Sequence, residues 1–317
     1  MLIVVAVVAI GIAALVDSLL GDDAESAAPE ERPAATTTAP EAEDEPGGML
    51  YYTDETCTLR AVRLPSGRSS DAPNWTECDF ALSPDASRVG AAGSGWDPHT
   101  DPRRGRVFEI EDGTIQVGTN AGPEGEPFEG TGPAWRPDGT LTYFADGAVR
   151  TWPDGDIVLS QRDMVRTLRE IIGPRFDRFR VREAGWLDDR RLAAILSAKG
   201  PQEPMDMLAI YDGTEVRAFT MDAAGGLSDL SVSPGGSYAA AKSDGGRDAP
   251  GGFVWLESGF GEQITPRIDG YRALAWSSDD RWYAVAGDNG VAVYQRGNPW
   301  EPVLELDVDA QDLDWRG

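Results

Sequence analysis

The chain has 317 residues, a single histidine, two cysteines and a formal net charge of −26. Such an acidic surface repels phosphate backbones and anionic lipid headgroups, which excludes nucleic acid from the expected partners. A single histidine also excludes metal sites that are built from several imidazoles.

The first predicted element is a membrane-spanning helix over residues 1–20. Residues 2–16 are apolar or glycine without interruption, and a 20-residue helix is long enough to cross a bilayer. We expect an uncleaved signal anchor that places the rest of the chain on the extracytoplasmic side of the cell membrane. A cleaved signal peptide is the alternative, because the apolar run also fits the upper limit for such peptides.

Residues 21–48 form a predicted linker rich in Asp, Glu, Ala, Thr and Pro, which buries too little apolar surface to fold. Repulsion between its carboxylates and the stiffness of proline predict an extended stalk. Residues 49–317 form the globular domain, and this domain contains Cys57 and Cys78. In an exported domain an isolated pair of cysteines usually forms a disulfide, with two buried free thiols as the alternative.

A recurring unit fills the globular domain. Each copy has a short apolar strand that ends in a large residue, then a turn rich in Pro, Asp, Gly and Ser, then a second apolar strand. The large residues, called anchors below, lie 39 to 53 residues apart: Leu82, Trp135, Trp186, Val232, Trp276 and Trp315. This period suits four short strands and predicts the blades of a propeller. Packing between blades explains the tryptophans, and an aromatic ligand cage is the alternative.

The two ends of the domain complete one another. The last unit has only its first strand, at 312–315, whereas the domain begins with later strands at 49–52 and 59–64. Pairing of these ends makes one blade from both termini and leaves no open sheet edge. The sequence therefore predicts an all-β, six-bladed β-propeller closed by its N- and C-terminal strands.

The turn after the anchor also points to a known architecture. Residues 135–139 read Trp-Arg-Pro-Asp-Gly, and residues 82–85 and 276–279 are partial copies. This motif resembles the Trp-Ser-Pro-Asp-Gly turn in the WD40-like repeats of TolB-type six-bladed propellers. The resemblance covers roughly residues 49–317 and implies the propeller fold. By analogy alone, it also implies a role in interaction.

One segment departs from the repeat. Apolar residues at 164, 165, 168, 171 and 172 have helical spacing, Ser160 is placed to cap the segment, and Gly173-Pro174 is placed to end it. We expect a helix inserted between the second and third full blades. It would cover a blade edge or one end of the channel, and docking of a partner is the alternative.

Candidate binding residues lie in the segment 96–104, which reads as a loop: Trp96, His99, Arg103 and Arg104. An aromatic side chain beside two arginines suits anionic or carbohydrate ligands. An exposed loop without a role is the alternative. No catalytic residue is predicted, because the chain has neither a Gly-x-Ser-x-Gly elbow nor a Gly-Lys-Ser/Thr phosphate loop.

Carboxylates near the C-terminus form the other candidate group: Asp307, Asp309, Asp312 and Asp314. Alternate residues of a strand share one face, so a solvated strand face is expected. A calcium site is the alternative, because calcium prefers several hard oxygen ligands. No other metal or cofactor is expected.

These features predict a non-enzymatic, membrane-tethered propeller that binds an envelope protein or a small ligand. One rival is an exported hydrolase or lyase that uses a carboxylate and calcium in the propeller channel. The other rival is a structural spacer of the cell envelope.

Overall fold

The computed structural model describes residues 45–71, 78–92, 104–111, 114–115, 126–172, 178–199, 204–214, 216–222, 226–244, 252–257, 260–264 and 270–317. The predicted membrane anchor and almost all of the predicted linker lie outside these ranges. Within them, no helix has the length and apolar character needed to cross a bilayer.

The described ranges contain 25 strands and one helix. The first strands in chain order are β1 (Gly48–Thr53), β2 (Leu59–Leu64), β3 (Arg68–Asp71), β4 (Asp79–Leu82), β5 (Arg88–Ala92), β6 (Arg104–Glu111), β7 (Thr114–Ile115), β8 (Glu126–Glu129), β9 (Thr131–Trp135), β10 (Leu141–Ala145), β11 (Ala148–Thr151) and β12 (Ile157–Ser160). Helix α1 (Gln161–Ile172) follows. The remaining strands are β13 (Arg178–Trp186), β14 (Leu192–Lys199), β15 (Pro204–Tyr211), β16 (Val216–Asp222), β17 (Leu227–Val232), β18 (Tyr238–Ser243), β19 (Gly252–Glu257), β20 (Phe260–Ile264), β21 (Leu274–Trp276), β22 (Trp282–Gly287), β23 (Gly290–Gln295), β24 (Leu304–Leu306) and β25 (Asp312–Arg316).

The strands form six antiparallel sheets, which are the six blades of a β-propeller. Blade 1 has the order β25-β1-β2-β3, and blade 2 has the order β4-β5-β6-β7 with β8 paired to β6. Blades 3 to 6 contain β9–β12, β13–β16, β17–β20 and β21–β24. The first strand of each unit is the inner strand of its blade, so β25 is the inner strand of blade 1.

Buried apolar residues form the second strand of several blades. All six residues of β22 are buried, including Trp282 and Tyr283, and β18 carries three consecutive buried alanines at 239–241. Neighbouring blades cover both faces of such a strand, and apolar side chains of different sizes fill the space between the sheets. The core is therefore a set of apolar layers between blades rather than one central cluster.

The ring closes as the sequence predicts. Strands β1 and β25 pair in antiparallel register, with Leu50 opposite Trp315 and Thr53 opposite Asp312. The Trp315 side chain is fully buried, and its Nε1 donates to the carbonyl oxygen of Gly47 at 2.9 Å. Closure through both termini is therefore confirmed, and the composite blade brings the number of blades to six.

The anchor tryptophans tie neighbouring blades together. Trp135 Nε1 in blade 3 donates to the carbonyl oxygen of Ala81 in blade 2 at 2.8 Å. Trp186 Nε1 in blade 4 donates to Thr142 Oγ1 in blade 3, also at 2.8 Å. These side chains are buried between blades, which confirms the predicted packing role.

Helix α1 lies between blades 3 and 4, as predicted. Ser160 caps it: its Oγ accepts from the Asp163 amide at 3.1 Å and donates to Asp163 Oδ2 at 2.5 Å. Met164 is 1% exposed and packs in an apolar cluster with Leu159 and Val181. The helix therefore covers the seam between two blades.

A disulfide bond joins Cys57 to Cys78, which is the predicted pairing. Cys57 lies in the turn between β1 and β2, and Cys78 immediately precedes β4. The bond therefore links blade 1 to blade 2.

Candidate binding channel

The six inner strands surround a central channel of about 840 Å³. Its wall includes residues from every blade, and its two ends have different chemistry. One end lies where the inner strands begin, and the other lies at the turns that follow the anchors. Carboxylates occur both a few residues before the anchors, at the first end, and a few residues after them, in the turns.

The position three residues before each anchor lines the channel in all six blades: Asp79, Gly132, Glu183, Asp229, Ala273 and Asp312. Four of these six residues are carboxylates. We call Asp79, Glu183, Asp229 and Asp312 the collar. Because equivalent positions of a propeller lie at one level of the ring, these carboxylates face a common space.

Unpaired backbone groups explain why acids are accommodated there. An inner strand is a sheet edge, so alternate N–H groups have no partner within its own blade. Glu183 Oε2 accepts from the Leu230 amide of the next blade at 2.7 Å. Asp79 accepts from the Gly132 amide in the same way. The carboxylates thus join neighbouring inner strands.

The seam between blades 1 and 2 uses two such carboxylates. Asp312 Oδ2 accepts from the Phe80 amide at 3.5 Å, and Asp314 Oδ2 accepts from the Leu82 amide at 2.9 Å. Arg316 also crosses the seam, since its Nη2 donates to the Leu82 carbonyl oxygen at 2.7 Å and to Asp314 Oδ2 at 3.0 Å.

Burial, with a smaller effect of nearby negative charges, raises the pKa values of the collar carboxylates. Burial, followed by the negative charge of Glu183, raises the pKa of Asp79 to about 7. Burial and the charge of Asp79 raise the pKa of Asp312 well above its ordinary value. The pKa values of Glu183 and Asp229 are raised as well, mainly by burial. The collar is therefore a site where full ionisation is unfavourable without a compensating cation.

Exposure of two collar side chains to solvent moderates this effect. The Asp79 and Asp229 side chains are exposed on the channel side, although protein surrounds the channel itself. Solvent on that side screens part of the repulsion, and it also leaves the carboxylate oxygens open to a ligand.

The basic groups near the collar are only partly available to neutralise it. Arg182 forms an ion pair with the buried Asp206 at 3.1 Å, and the same Nη1 donates to the carbonyl oxygen of Leu227 at 3.0 Å. Lys242 Nζ lies 3.9 Å from Asp229 Oδ2. The ion pair with Asp206 positions the beginning of β17, because Asp206 Oδ2 also accepts from the Leu227 amide at 3.0 Å.

The turns that follow the anchors carry a second set of acids, of which Asp85 lines the channel: Asp85, Asp138, Asp188 and Asp279. We call these the turn ring. Asp85 Oδ1 accepts from Ser83 Oγ at 2.6 Å and from the Ser87 amide and hydroxyl at 3.1 and 2.8 Å. These hydrogen bonds, with that from Ser83 the strongest, lower the pKa of Asp85 to about 2.

The other turn-ring acids follow the same pattern. Although burial acts to raise the pKa of Asp138, hydrogen bonds from Thr140 lower it overall. In Asp279, burial is likewise outweighed by hydrogen bonds from the Ser277 hydroxyl and the Arg281 amide, which lower the pKa. The turn-ring carboxylates therefore hold the turns that the Pro-Asp-Gly pattern predicts.

In blades 2 and 3, arginine side chains connect the turn to the turn of the next blade. Arg88 stacks over the Trp135 ring at 4.9 Å, and its Nη2 donates to the Gly139 carbonyl oxygen at 3.2 Å. In the next blade, Arg136 stacks over the Trp186 ring at 4.9 Å and donates to the Asp189 carbonyl oxygen at 2.7 Å. Hydrogen bonds and ring contacts from these arginines therefore join the turns of neighbouring blades at this end of the channel.

Known structures share this architecture. The chain is similar in fold to TolB from Acinetobacter baumannii. The TM-score is 0.54 at 14% sequence identity, over 86% of this chain and 68% of that one. The β-propeller domain of Cps50 (Swd1) from Myceliophteria thermophila aligns over 75% of this chain and 90% of its own, with a TM-score of 0.42 and 11% identity. No family model and no curated protein matches the sequence.

The similarity to TolB confirms the TolB-type, WD40-like architecture that the repeated turns predict. At this level of identity it concerns the fold alone. Function must therefore be argued from the channel.

Most of the predicted binding loop lies outside the described residues. Trp96, His99 and Arg103 fall in that part of the chain, and Arg104 begins β6, where it pairs with Glu129 of β8. The loop therefore remains a prediction.

The C-terminal acids do not form the expected single strand face. Strand β25 begins at Asp312, so Asp307 and Asp309 precede it, and Asp309 pairs with Arg272 instead. Asp312 and Asp314 face the channel. Within the residues that the structure describes, no three or more His, Cys, Asp or Glu side chains are grouped to hold one metal ion.

Sequence reasoning did not single out Asp79, Glu183 or Asp229. A usable signal was present, because each lies three residues before an anchor.

Proposed function

We propose that this chain is a non-enzymatic binding module whose channel receives a positively charged group of a protein partner or small ligand. The observation that carries the proposal is the collar, in which four carboxylates from four blades line one end of an open channel. A bound cation would relieve their mutual repulsion, so ionisation of the collar and binding of the cation favour each other.

The cellular setting is part of the same proposal. The apolar run in residues 1–20 and the acidic linker that follows support tethering to the cell membrane with the propeller on the extracytoplasmic side. A disulfide such as Cys57–Cys78 is stable in that oxidising environment, which supports the same location. An envelope protein that presents a lysine, an arginine or a free amino terminus would suit the collar.

Calorimetric titration of the 317-residue chain with spermidine, a trivalent amine, tests the proposal. Because the whole chain is acidic, the essential control is matched for charge. We compare Asp79→Asn/Asp312→Asn, which removes two collar charges, with Asp154→Asn/Asp156→Asn, which removes two exposed charges from a turn of blade 3.

At pH 8 we expect the collar variant to bind spermidine at least tenfold more weakly than the wild type, with the control unchanged. Wild-type affinity should fall at pH 5, where Asp79 of the collar is protonated. Equal losses in both variants, or no binding by the wild type, would overturn the proposal. A parallel titration with calcium chloride shows whether the collar prefers an organic cation or a metal ion.

Acid–base hydrolysis is a second candidate, because a carboxyl group with a pKa of about 7 lies among other carboxylates. Glycosidases use a protonated and an ionised carboxyl group in this way. Turnover of nitrophenyl glycosides by the wild type, and its loss in Asp79→Asn, would favour this candidate over the binding module.

A further inference from the structure

The disulfide lies at the collar end of the channel. Cys78 lines the channel and directly precedes Asp79, the first residue of β4. The Cys78 carbonyl oxygen also accepts from Thr53 Oγ1 of β1 at 3.3 Å. Both cysteines are partly exposed, so a dissolved thiol can reach them.

The turn that presents Cys57 is held independently of the disulfide. Asp54 Oδ1 accepts from the Thr56 amide at 2.9 Å and from the Thr58 amide at 3.0 Å, and Asp54 Oδ2 accepts from Arg60 Nε at 3.1 Å. Cys57 itself has a φ of 60°, a left-handed conformation that is unusual for a residue with a side chain. Cys57 is therefore a fixed point to which the beginning of β4 is tied.

By contrast, few polar contacts tie the beginning of β4 to blade 1 among the residues that the structure describes. Strands β25 and β4 belong to different sheets and share no backbone ladder. Near the collar, the Phe80 amide donates to the Asp312 carboxylate at the long distance of 3.5 Å, and Thr53 Oγ1 donates to the Cys78 carbonyl oxygen. The Phe80 side chain also packs with Tyr51 and Leu59 of blade 1 in an apolar cluster. Shorter hydrogen bonds across the seam occur at Leu82, which is farther from the collar.

We propose that the Cys57–Cys78 disulfide is a redox-sensitive latch that holds β4, and with it Asp79, in the collar. Reduction by a dithiol would free the beginning of β4 and open the seam between blades 1 and 2. The opened seam would displace Asp79 from the other collar carboxylates. The last consequence, weaker cation binding, rests on the proposed function, whereas opening of the seam does not.

The chemistry is an ordinary thiol–disulfide exchange. A thiolate of the dithiol attacks one sulfur of the disulfide and forms a mixed disulfide, and the cysteine released as a thiolate takes up a proton. The second thiol of the reductant then displaces the other cysteine and closes a cyclic disulfide. Two electrons and two protons pass to the protein, which ends with thiols at Cys57 and Cys78.

Hydrogen exchange at single amides tests the latch directly. The full chain is compared as purified and after treatment with dithiothreitol. We expect at least tenfold faster exchange at the Phe80 amide on reduction. The Leu230 amide, which Glu183 caps at a seam not joined by a disulfide, is the internal control and should not change. In the Cys57→Ser/Cys78→Ser variant, the Phe80 amide should exchange as fast as in the reduced wild type, and dithiothreitol should not change that rate.

Unchanged exchange at Phe80 after verified reduction would overturn the latch. Equal acceleration at Phe80 and Leu230 would also overturn it, because the disulfide would then stabilise the whole domain rather than one seam. Spermidine titration of both redox states adds the functional readout, with affinity at least fivefold weaker after reduction. A seam that opens in a protein that binds no spermidine in either state supports the latch and overturns the proposed function.

Discussion

The two ends of the channel carry the same kind of side chain in opposite electrostatic states. Asp79 lies three residues before the anchor Leu82 and Asp85 three residues after it, yet their pKa values are about 7 and about 2. Asp85 accepts three hydrogen bonds from hydroxyl and amide groups of its own turn. Burial, followed by the negative charge of Glu183, raises the pKa of Asp79, which accepts from a single amide, that of Gly132.

This difference distinguishes a structural role for the turn carboxylates from the proposed binding role of the collar. A carboxylate whose acceptor positions are filled by local donors stabilises a turn and has little left for a ligand. A carboxylate that faces like charges across a channel gains most from a cation that arrives from outside. Position relative to nearby donors, and not residue type, therefore assigns the two roles.

The largest effect on stability is expected at a buried acid of the turn end. Asp280 is 6% exposed, and it accepts from Ser233 Oγ at 3.2 Å and from the Gly235 amide at 3.0 Å across the seam between blades 5 and 6. Asp280→Ala leaves these donors unpaired and should lower the free energy of unfolding by about 2 kcal/mol. Urea denaturation measures it, with Asp154→Ala as the exposed control. A loss no larger than that of the control would show that this carboxylate does not stabilise the contact between blades 5 and 6.

A smaller loss is expected when the turn ring itself is changed. Asp85→Ala removes the acceptor of three hydrogen bonds and should cost about 1 kcal/mol, because the turn is exposed and water replaces part of what is lost. The same denaturation experiment applies. Asp85→Asn, which keeps one carbonyl acceptor, should lie between Ala and the wild type. No loss in either variant would contradict the scaffold role.

The collar should respond in the opposite direction. Asp79→Asn retains an acceptor for the Gly132 amide but removes a charge that Asp312 and Glu183 repel. At pH 8 the unfolding midpoint should stay the same or rise. A loss equal to that of Asp85→Ala would show that the collar is also scaffold and would end the distinction between the two ends.

Stability against pH gives the most specific contrast. The pKa of Asp79 rises from 3.8 to about 7 on folding, so the folded state binds its proton more tightly. Its contribution to stability is complete below pH 3.8 and is lost as pH rises through 7. Asp85 has the opposite sign, because its contribution is present above pH 3.8 and is lost as pH falls through 2.

Unfolding measured between pH 5 and pH 8 should therefore show stability that declines as pH rises. The decline should be shallower in Asp79→Asn/Asp312→Asn and unchanged in Asp154→Asn/Asp156→Asn. An identical decline in all three proteins would assign the pH dependence to the general acidity of the chain.

The sequence was sufficient to predict the ring but not the collar. Turns and caps are local, so the Pro-Asp-Gly pattern at 137–139 and Ser160 before α1 could be read from neighbouring residues. Closure could also be predicted, because strand pairing obeys a simple rule about unpaired edges. The collar needs contacts such as that of Phe80 with Asp312, which are 232 residues apart.

The large number of acidic residues explains why the collar could not be predicted from the sequence. With 54 Asp and Glu residues, no carboxylate is conspicuous by type. Only the register of the repeat distinguishes Asp79 and Glu183 from a solvated acid, and that register depends on knowing which residue of each inner strand faces the channel. The same limit applied to Asp312, whose strand was predicted correctly but whose side chain was assigned to a solvated face.

Titration of individual carboxyl groups by carbon-detected NMR tests the central claim most directly. The Asp79→Asn and Asp85→Asn variants assign the two signals. We expect the Asp79 carboxyl to titrate near pH 7 and the Asp85 carboxyl near pH 2. Spermidine should lower the pKa of the Asp79 carboxyl and leave that of Asp85 unchanged. If both carboxyl groups titrated near pH 4 and spermidine changed neither pKa, the proposed difference between the collar and the hydrogen-bonded turn carboxylates would be contradicted.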